Sequence, residues 1–280
     1  MLCNNCGCEV RTFAERCHVC NADVGFPNVR AAADDKERSA LAQRVRNAQI
    51  AATARGSTAA LQAFGTAVSS SNAVLARPLG DLEAFVKSDN VLYISYHSQV
   101  RSGARIPEEN EWDKGREAAE STINPVYFGK INYTALSLDG FGVLWWGEYS
   151  VVLREKHIAL RTSVFEENPF IFCERHRVAA GKSPPKGFRA TWDARQDLAI
   201  AKLSGKIAAS TENNEYASIL LNQGTSRANA DFIECHTFGP IHRTSIERVV
   251  GPRPKDPRDL IIWRSVVATL QKIGAIVEEV

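Results

Sequence analysis

The chain has 280 residues, of which 34 are lysine or arginine and 32 are aspartate or glutamate, so its formal net charge is +2. This length leaves room for a small metal-binding module and one further domain of about 190 residues. The nearly neutral charge argues against a protein that coats DNA by charge alone, although it is compatible with a local basic patch.

The first predicted element is a zinc ribbon over residues 1–27. Two Cys-x2-Cys pairs open similar units, Cys-Asn-Asn-Cys-Gly-Cys-Glu-Val and Cys-His-Val-Cys-Asn-Ala-Asp-Val. The four thiolates belong to Cys3, Cys6, Cys17 and Cys20. Each pair can reach one ion if the backbone turns tightly after its second cysteine, where Gly7 and Asn21 tolerate positive φ. Four sulfur ligands favour zinc and leave no open coordination position, which predicts a structural metal. We expect Cys8 and His18 to be neighbours of this site and not ligands.

Cysteine usage outside the ribbon indicates a reducing compartment. Cys173 and Cys235 lie in apolar, strand-like runs, as expected for free thiols in a cytosolic protein. We recognise neither a signal peptide nor an apolar run of membrane length in the sequence. A cytoplasmic protein without a membrane partner is therefore expected.

Residues 28–78 are predicted to form a helical linker or stalk. The Ala-rich stretch 30–54 carries Leu41, Val45 and Ala48 at spacings of three and four, which is typical of an amphipathic helix. A second helix is predicted over 58–68, after the helix-breaking Gly56. Either these helices form a free stalk, or they pack on the main domain as support.

From residue 79 the pattern predicts an α+β domain that extends to residue 280. Strands are expected over 91–97, 142–146, 149–153 and 231–238, where β-branched and aromatic residues are concentrated. Helices are expected over 192–207 and 256–273. The elements do not alternate as regular βαβ units, which favours the α+β class over a doubly wound sheet.

Glu234 is the candidate catalytic residue because it interrupts an apolar strand. Alternation places Phe232, Glu234 and His236 on one face of that strand. A carboxylate between Ile233 and Cys235 is costly to bury unless it is hydrogen-bonded for a purpose. The alternative is a solvent-exposed carboxylate at a strand edge.

Three blocks between about residues 90 and 250 resemble NAD-dependent ADP-ribosyltransferases of the bacterial toxin and antiphage-defence type, distantly the DNA-modifying DarT group. The first block is Glu-Cys-His-Thr-Phe-Gly-Pro-Ile over 234–241 with Thr-Ser-Ile-Glu-Arg-Val over 244–249, and it is similar to their catalytic strand. Residues 146–156 with 161–170 resemble the middle block of that superfamily, and residues 92–97 resemble its first strand. The sequence departs from the pattern at Glu166-Glu167-Asn168, where relatives usually have Gly-Asp-Ser, and it lacks a second glutamate two residues before Glu234. The second departure disfavours a protein-arginine acceptor.

This resemblance implies a fold with a split, NAD-clasping sheet and a role for each matched residue. Glu234 would hydrogen-bond the ribose 2′-hydroxyl of NAD and stabilise an oxocarbenium-like transition state. His97 would hold a ribose, and Thr162 and Ser163 would shape the floor of the pocket. Tyr127 or Tyr133 would stack on the nicotinamide, although both rings are equally compatible with a place in the core. NAD would be the co-substrate, and zinc would be structural.

The function that follows is the transfer of ADP-ribose to a macromolecule, with nucleic acid favoured over protein as the acceptor. The resemblance also predicts a toxin or antiphage effector, for which an antitoxin or chaperone is a possible further partner. The polar loop 222–229 would choose the acceptor. Arg101, Arg105 and Arg116 would contact NAD phosphates or an acceptor backbone, or else form a solvated face. Two alternatives remain: a non-catalytic zinc-ribbon adaptor that binds nucleic acid or protein, and hydrolysis of NAD with water as the acceptor.

Overall fold

The computed structural model of the protein describes residues 1–107 and 111–280. The α-helices in these ranges are α1 (Pro27–Ala32), α2 (Asp35–Ala54), α3 (Thr58–Val68), α4 (Leu79–Val86), α5 (Tyr96–Arg101), α6 (Glu111–Ile123), α7 (Glu155–Ile158), α8 (Pro169–Arg175), α9 (Arg195–Leu203), α10 (Tyr216–Leu220) and α11 (Pro257–Lys272). The strands are β1 (Asn72–Arg77), β2 (Leu92–Tyr93), β3 (Ile131–Ser137), β4 (Tyr149–Leu153), β5 (Thr162–Phe165), β6 (Arg189–Thr191), β7 (Leu221–Asn222), β8 (Asp231–Phe232), β9 (Glu234–Phe238), β10 (Ile241–His242), β11 (Ile246–Gly251) and β12 (Ile276–Glu279). No helix of the described ranges is both long and apolar enough to cross a membrane.

Eight strands form one mixed sheet in the order β12-β11-β4-β1-β3-β9-β5-β6. Neighbouring strands are antiparallel except for β11 and β12. Two small two-stranded sheets, formed by β2 with β10 and by β7 with β8, lie outside this sheet. The mainly antiparallel sheet with separate helices confirms the predicted α+β class. Within the described residues the large sheet is continuous, whereas the resemblance implies a split one.

The Ala-rich helices pack on this sheet instead of forming a free stalk. Leu41 and Ala52 of α2 and Phe64 of α3 share one buried core with Leu75 of β1 and Leu198 of α9. Removal of these apolar side chains from water is what holds α2 and α3 against the domain. Strand β1 also falls inside the predicted 28–78 segment, and it lies in the middle of the sheet. The core domain therefore includes residues that the sequence pattern assigned to a linker.

Two of the predicted strands, 91–97 and 142–146, differ from the structure. The predicted strand 91–97 is only two residues long, because the Ser95 side chain accepts a hydrogen bond from Ser98 N and starts helix α5, which carries His97. Residues 142–146 include a 3-10 turn over Leu144–Trp146 in place of a strand. The predictions for α3, β4 and α11 are confirmed.

Strand β9 lies near the centre of the sheet, between β3 and β5. Both of its edges are therefore hydrogen-bonded to neighbouring strands, and all five of its residues are buried. Its register pairs Glu234 with Ala135 of β3 and Phe165 of β5, and pairs His236 with Tyr133 and Ser163. This register places the strongest chemical candidate of the sequence deep inside the domain.

Candidate functional site

The amino-terminal cysteines form a candidate metal centre. The sulfur atoms of Cys3, Cys6, Cys17 and Cys20 all lie within 4.8 Å of one another. The Cys3–Cys20 and Cys6–Cys17 sulfur pairs are each 3.6 Å apart. A tetrahedral zinc site with Zn–S bonds of about 2.3 Å requires separations of about 3.8 Å, so these four thiolates fit a structural zinc ion.

The backbone of each cysteine knuckle adopts the turn that the sequence predicts. Gly7 and Asn21 have φ of 70° and 56°. Their amides donate to the carbonyls of Cys3 and Cys17 at 2.8 and 2.9 Å. The Cys8 sulfur lies 3.1 Å from that of Cys17, so this thiol borders the cluster even though the predicted set is complete without it.

The ribbon is fastened to the main domain through α1. The Arg30 guanidinium donates to the carbonyls of Thr12, Ala14 and Val24 at 2.9, 2.7 and 2.9 Å. The ring of Phe26 packs on that of Phe238 in β9, with centroids 5.6 Å apart. These contacts connect the metal module directly to the strand that carries Glu234.

Glu234 is only 3% exposed, and it lines a cavity of about 470 Å³. Its position on a central strand excludes the alternative of a solvent-exposed carboxylate at a sheet edge. Burial, and then the nearby Glu120 carboxylate, raise the pKa of Glu234 well above its usual range, while Arg116 opposes the shift. A buried carboxyl group that lines a cavity, and whose pKa is raised by burial and by a second carboxylate, is a candidate functional group.

A second buried carboxylate lies beside the first. The Glu120 carboxylate forms a hydrogen bond of 2.6 Å with Nε2 of His97 and accepts one of 3.2 Å from Nη1 of Arg116. His97 is thereby occupied by Glu120 and is not among the residues that line the cavity. Glu120 and Arg116 both act on the charge of Glu234, whereas His97 is connected to the site through its bond to Glu120.

The cavity wall combines cationic and aromatic side chains. The guanidiniums belong to Arg77, Arg105, Arg116 and Arg227, and the rings belong to Tyr93, Tyr96, Tyr133, Trp145 and Trp146. Arg77, Arg105 and Arg227 form no ion pair with any residue within 1–107 and 111–280. The acidic residues of the described lining are Asp81, Glu148 and Glu234. Arg77 donates to the Tyr93 hydroxyl and the Ala76 carbonyl, each at 2.6 Å, and Arg105 lies over the Tyr96 ring. Guanidiniums beside flat rings, with no carboxylate to neutralise them, can bind a ligand that carries phosphates and bases.

Four buried polar atoms on the cavity wall have no hydrogen bond within the described residues. Oη of Tyr96 and Nε of Arg116 both lie near the Asp113 carboxylate, and the other two are Oδ1 of Asn132 and Oη of Tyr133. The Tyr133 hydroxyl lies near Glu120 and Asn124, but neither contact has ordinary hydrogen-bond geometry. Burial and the two neighbouring glutamates raise its pKa well above the usual range, so the phenol is neutral. Buried polar groups are nearly always paired, so Asn132 Oδ1 and Tyr133 Oη are sites where a water molecule or a bound ligand can form a hydrogen bond.

Of the five residues predicted to bind NAD, Tyr133 alone lines the cavity of Glu234 among the described residues. Tyr127 lines a different cavity of about 500 Å³. The Thr162 hydroxyl forms a hydrogen bond of 2.9 Å with the Thr237 hydroxyl on the face of the sheet opposite to Glu234. Ser163 lies on the same face as Glu234, but its hydroxyl accepts a hydrogen bond of 3.3 Å from the Asn28 side chain. Strand alternation explains this separation, because neighbouring residues of β5 point to opposite faces.

Sequence reasoning named Arg101, Arg105 and Arg116 as contacts to NAD phosphates or an acceptor backbone. Arg105 and Arg116 line the cavity, whereas Arg101 is not part of its described lining. The rest of their polar segment includes residues 108–110, which lie outside the described residues. The sequence pattern missed Arg77, Glu120 and Trp145. Arg77 follows the continuous apolar run Ala73–Ala76, and a charged residue directly after a buried strand is the signal that could have indicated it.

Comparison with known proteins finds no protein-family model that matches the chain, and no curated protein that matches it significantly.

Proposed function

We propose that the cavity around Glu234 binds NAD and that the protein transfers ADP-ribose from it to a macromolecule. The observation that carries the proposal is a buried glutamate that opens onto a cavity lined by several arginines and aromatic rings, of which Trp145 is exposed. Its volume of about 470 Å³ lies within the usual range for ligand sites. The motif resemblance around Glu234 supports the same activity.

The chemistry that these residues would perform begins at the bond between nicotinamide and ribose. That bond breaks, nicotinamide leaves with the bonding electrons, and positive charge develops on the ribose ring. Glu234 accepts a hydrogen bond from a ribose hydroxyl and stabilises this charge in a dry site. The cationic nicotinamide ring of the bound substrate also favours the ionised form of Glu234, which burial alone disfavours.

Transfer is completed when a nucleophilic oxygen or nitrogen of the acceptor attacks the ribose carbon that nicotinamide left. The acceptor loses a proton in this step, and Glu234 can take it as a general base. The guanidiniums of Arg77 and Arg105 would hold the pyrophosphate, since arginine forms strong charge-assisted hydrogen bonds to phosphate oxygens. Water in place of the acceptor would give NAD hydrolysis by the same steps.

Nucleic acid is the acceptor favoured by the exposed rim of the cavity, which consists of Trp145 and Arg227. Trp145 is 44% exposed, yet its Nε1 donates to the Gln223 carbonyl at 2.6 Å, so the indole is held in place. Arg227 lies beside it and donates to the Trp145 carbonyl at 3.4 Å. A fixed, exposed ring next to a cation suits an unpaired base and its phosphate. The zinc ribbon would help to bring the protein to such a target, in the setting of a toxin or antiphage effector.

The test is to incubate the purified protein with NAD labelled in its adenylate phosphate and with cell lysate. Label that is lost on nuclease treatment identifies a nucleic-acid acceptor, and label lost on protease treatment identifies a protein. We expect Glu234→Gln to abolish incorporation, while the exposed control Glu174→Gln preserves it. Nicotinamide release without incorporation would indicate hydrolysis. If the native chain gives neither release nor incorporation, the enzyme proposal fails and the adaptor alternative replaces it.

A further inference from the structure

A chain of two hydrogen bonds ends on the Glu234 carboxyl group. The Asn124 side-chain nitrogen lies 3.1 Å from Nδ1 of His236. The Nε2 atom of the same ring lies 3.1 Å from Oε2 of Glu234. All three side chains are buried, with exposed fractions of 1%, 2% and 3% in that order. The described lining of the cavity includes Glu234 but neither of the two residues behind it.

The position of one proton follows from this arrangement. An amide nitrogen only donates, so Nδ1 of His236 must accept the bond from Asn124. A neutral imidazole carries a single proton, which then lies on Nε2 and is donated to Glu234. The ring is neutral because burial and the nearby Arg189 guanidinium lower the pKa of His236 to about 3. The contact with Glu234 is therefore a hydrogen bond and not an ion pair.

Neighbouring rings fix the plane of the imidazole. Phe165 of β5 stacks on His236 with centroids 5.5 Å apart and planes 27° apart. Tyr133 of β3 meets the ring edge-on, at 4.9 Å and 81°. The charged or titratable groups that face His236 from its own and adjacent elements are Glu234, Tyr133 and Arg189. With the ring packed in this way, its hydrogen bond can hold Glu234 in one orientation.

The backbone also holds Asn124 in place. The Asn124 amide donates to the Glu120 carbonyl at 2.8 Å, and Phe128 N donates to the Asn124 carbonyl at 2.9 Å. Between them, Val126 has a φ of 69°. A β-branched residue rarely adopts positive φ, and such strain persists where the surrounding structure imposes it. The turn therefore maintains a costly conformation that presents Asn124 to the ring.

We infer that His236 is a positioning residue that orients the Glu234 carboxyl group through its neutral Nε2–H tautomer, and that Asn124 selects this tautomer. The consequence for turnover rests on the proposed function, but the tautomer itself does not. A residue that holds a functional side chain in this way typically contributes 10- to 100-fold to activity, as known for supporting residues around metal ligands.

The experiment is nitrogen NMR of the full chain with ¹⁵N-labelled histidine, in which ring nitrogens with and without a proton have distinct shifts. The His236→Gln variant assigns the His236 signals by their loss. We expect the proton on Nε2, with no change between pH 5 and pH 8. In Asn124→Asp the new carboxylate can only accept, so the proton should move to Nδ1. A native Nδ1–H tautomer, or a ring that protonates in this pH range, would overturn the inference.

Kinetics provide the second readout. In Asn124→Asp we expect kcat for nicotinamide release from NAD to fall about 10- to 100-fold, and KM for NAD to change less than about threefold, because Glu234 loses orientation and not substrate contact. Unchanged kcat in a variant with the Nδ1–H tautomer would overturn the positioning role. A native chain that has the Nε2–H tautomer but no NAD chemistry would instead refute the proposed function alone.

Discussion

The side-chain amide of Asn28 donates a hydrogen bond of 2.8 Å to the main-chain carbonyl of His236. The same nitrogen lies 3.1 Å from the Arg161 carbonyl and 3.3 Å from Oγ of Ser163. Asn28 is fully buried and belongs to α1, the helix that follows the ribbon directly. One side chain therefore links the metal module to strands β5 and β9, where the candidate site is built.

We predict that Asn28→Ala lowers the free energy of unfolding by about 1–3 kcal/mol, because the substitution leaves buried carbonyls without a donor. Urea denaturation followed by tryptophan fluorescence measures the change. The matched control is Asn47→Ala, at an exposed position of α2. If both variants unfold at the same urea concentration, Asn28 does not fasten the ribbon as described.

The zinc assignment predicts different effects for three cysteine variants. Cys17→Ser should lose the bound metal, because a hydroxyl replaces a thiolate ligand, whereas Cys8→Ser and the distant Cys173→Ser should retain about one zinc ion per chain. Metal content is measured by elemental analysis of the purified proteins. Loss of zinc from Cys8→Ser would assign the site to the other cluster of potential ligands, Cys8, Cys17 and His18.

Glu234 should make stability depend on pH. Its pKa is raised in the folded state from an ordinary value of 4.5, so its contribution to stability is present below that value and is lost as the pH rises through the folded pKa. Glu234→Gln removes this loss. We therefore expect the variant to gain stability relative to the native chain as the pH rises from 5 to 8, as measured by thermal melting. A constant difference over that range would show that Glu234 does not titrate as its burial predicts.

The rim should bind single-stranded oligonucleotides in the absence of NAD. We expect Trp145→Ala to weaken binding by about 10-fold or more, since a stacked base contributes about 1–3 kcal/mol. Arg227→Gln should reduce the slope of log affinity against log salt concentration by about 1. Fluorescence anisotropy of a labelled oligonucleotide measures both, with Arg258→Gln, at an exposed position of α11, as the control. If the native chain and the three variants bind the oligonucleotide with equal affinity, nucleic acid is no longer the favoured acceptor.

Local chemistry was sufficient to predict some features from the sequence. Thiolate spacing and the residues that tolerate positive φ, Gly7 and Asn21, predict the metal cluster, because both ligand pairs lie within short knuckles. Hydrophobic periodicity predicts α3 and α11, and the mixture of elements predicts the α+β class. Glu234 also stands out from the sequence alone, since a carboxylate within an apolar strand is unusual wherever the strand lies.

The surroundings of Glu234 depend on long-range packing, which no local pattern encodes. Glu120 of helix α6 raises the pKa of Glu234, Arg77 at the end of β1 lines the same cavity, and Asn124 in the turn after α6 bonds His236. Each of the three is more than a hundred residues from Glu234 in the chain. Strand register decides that Tyr133 joins the site while Thr162 faces away, because a shift of one residue exchanges the two faces of a strand. The sequence by itself determined which residue was chemically unusual, and only the tertiary structure decided which groups control its proton.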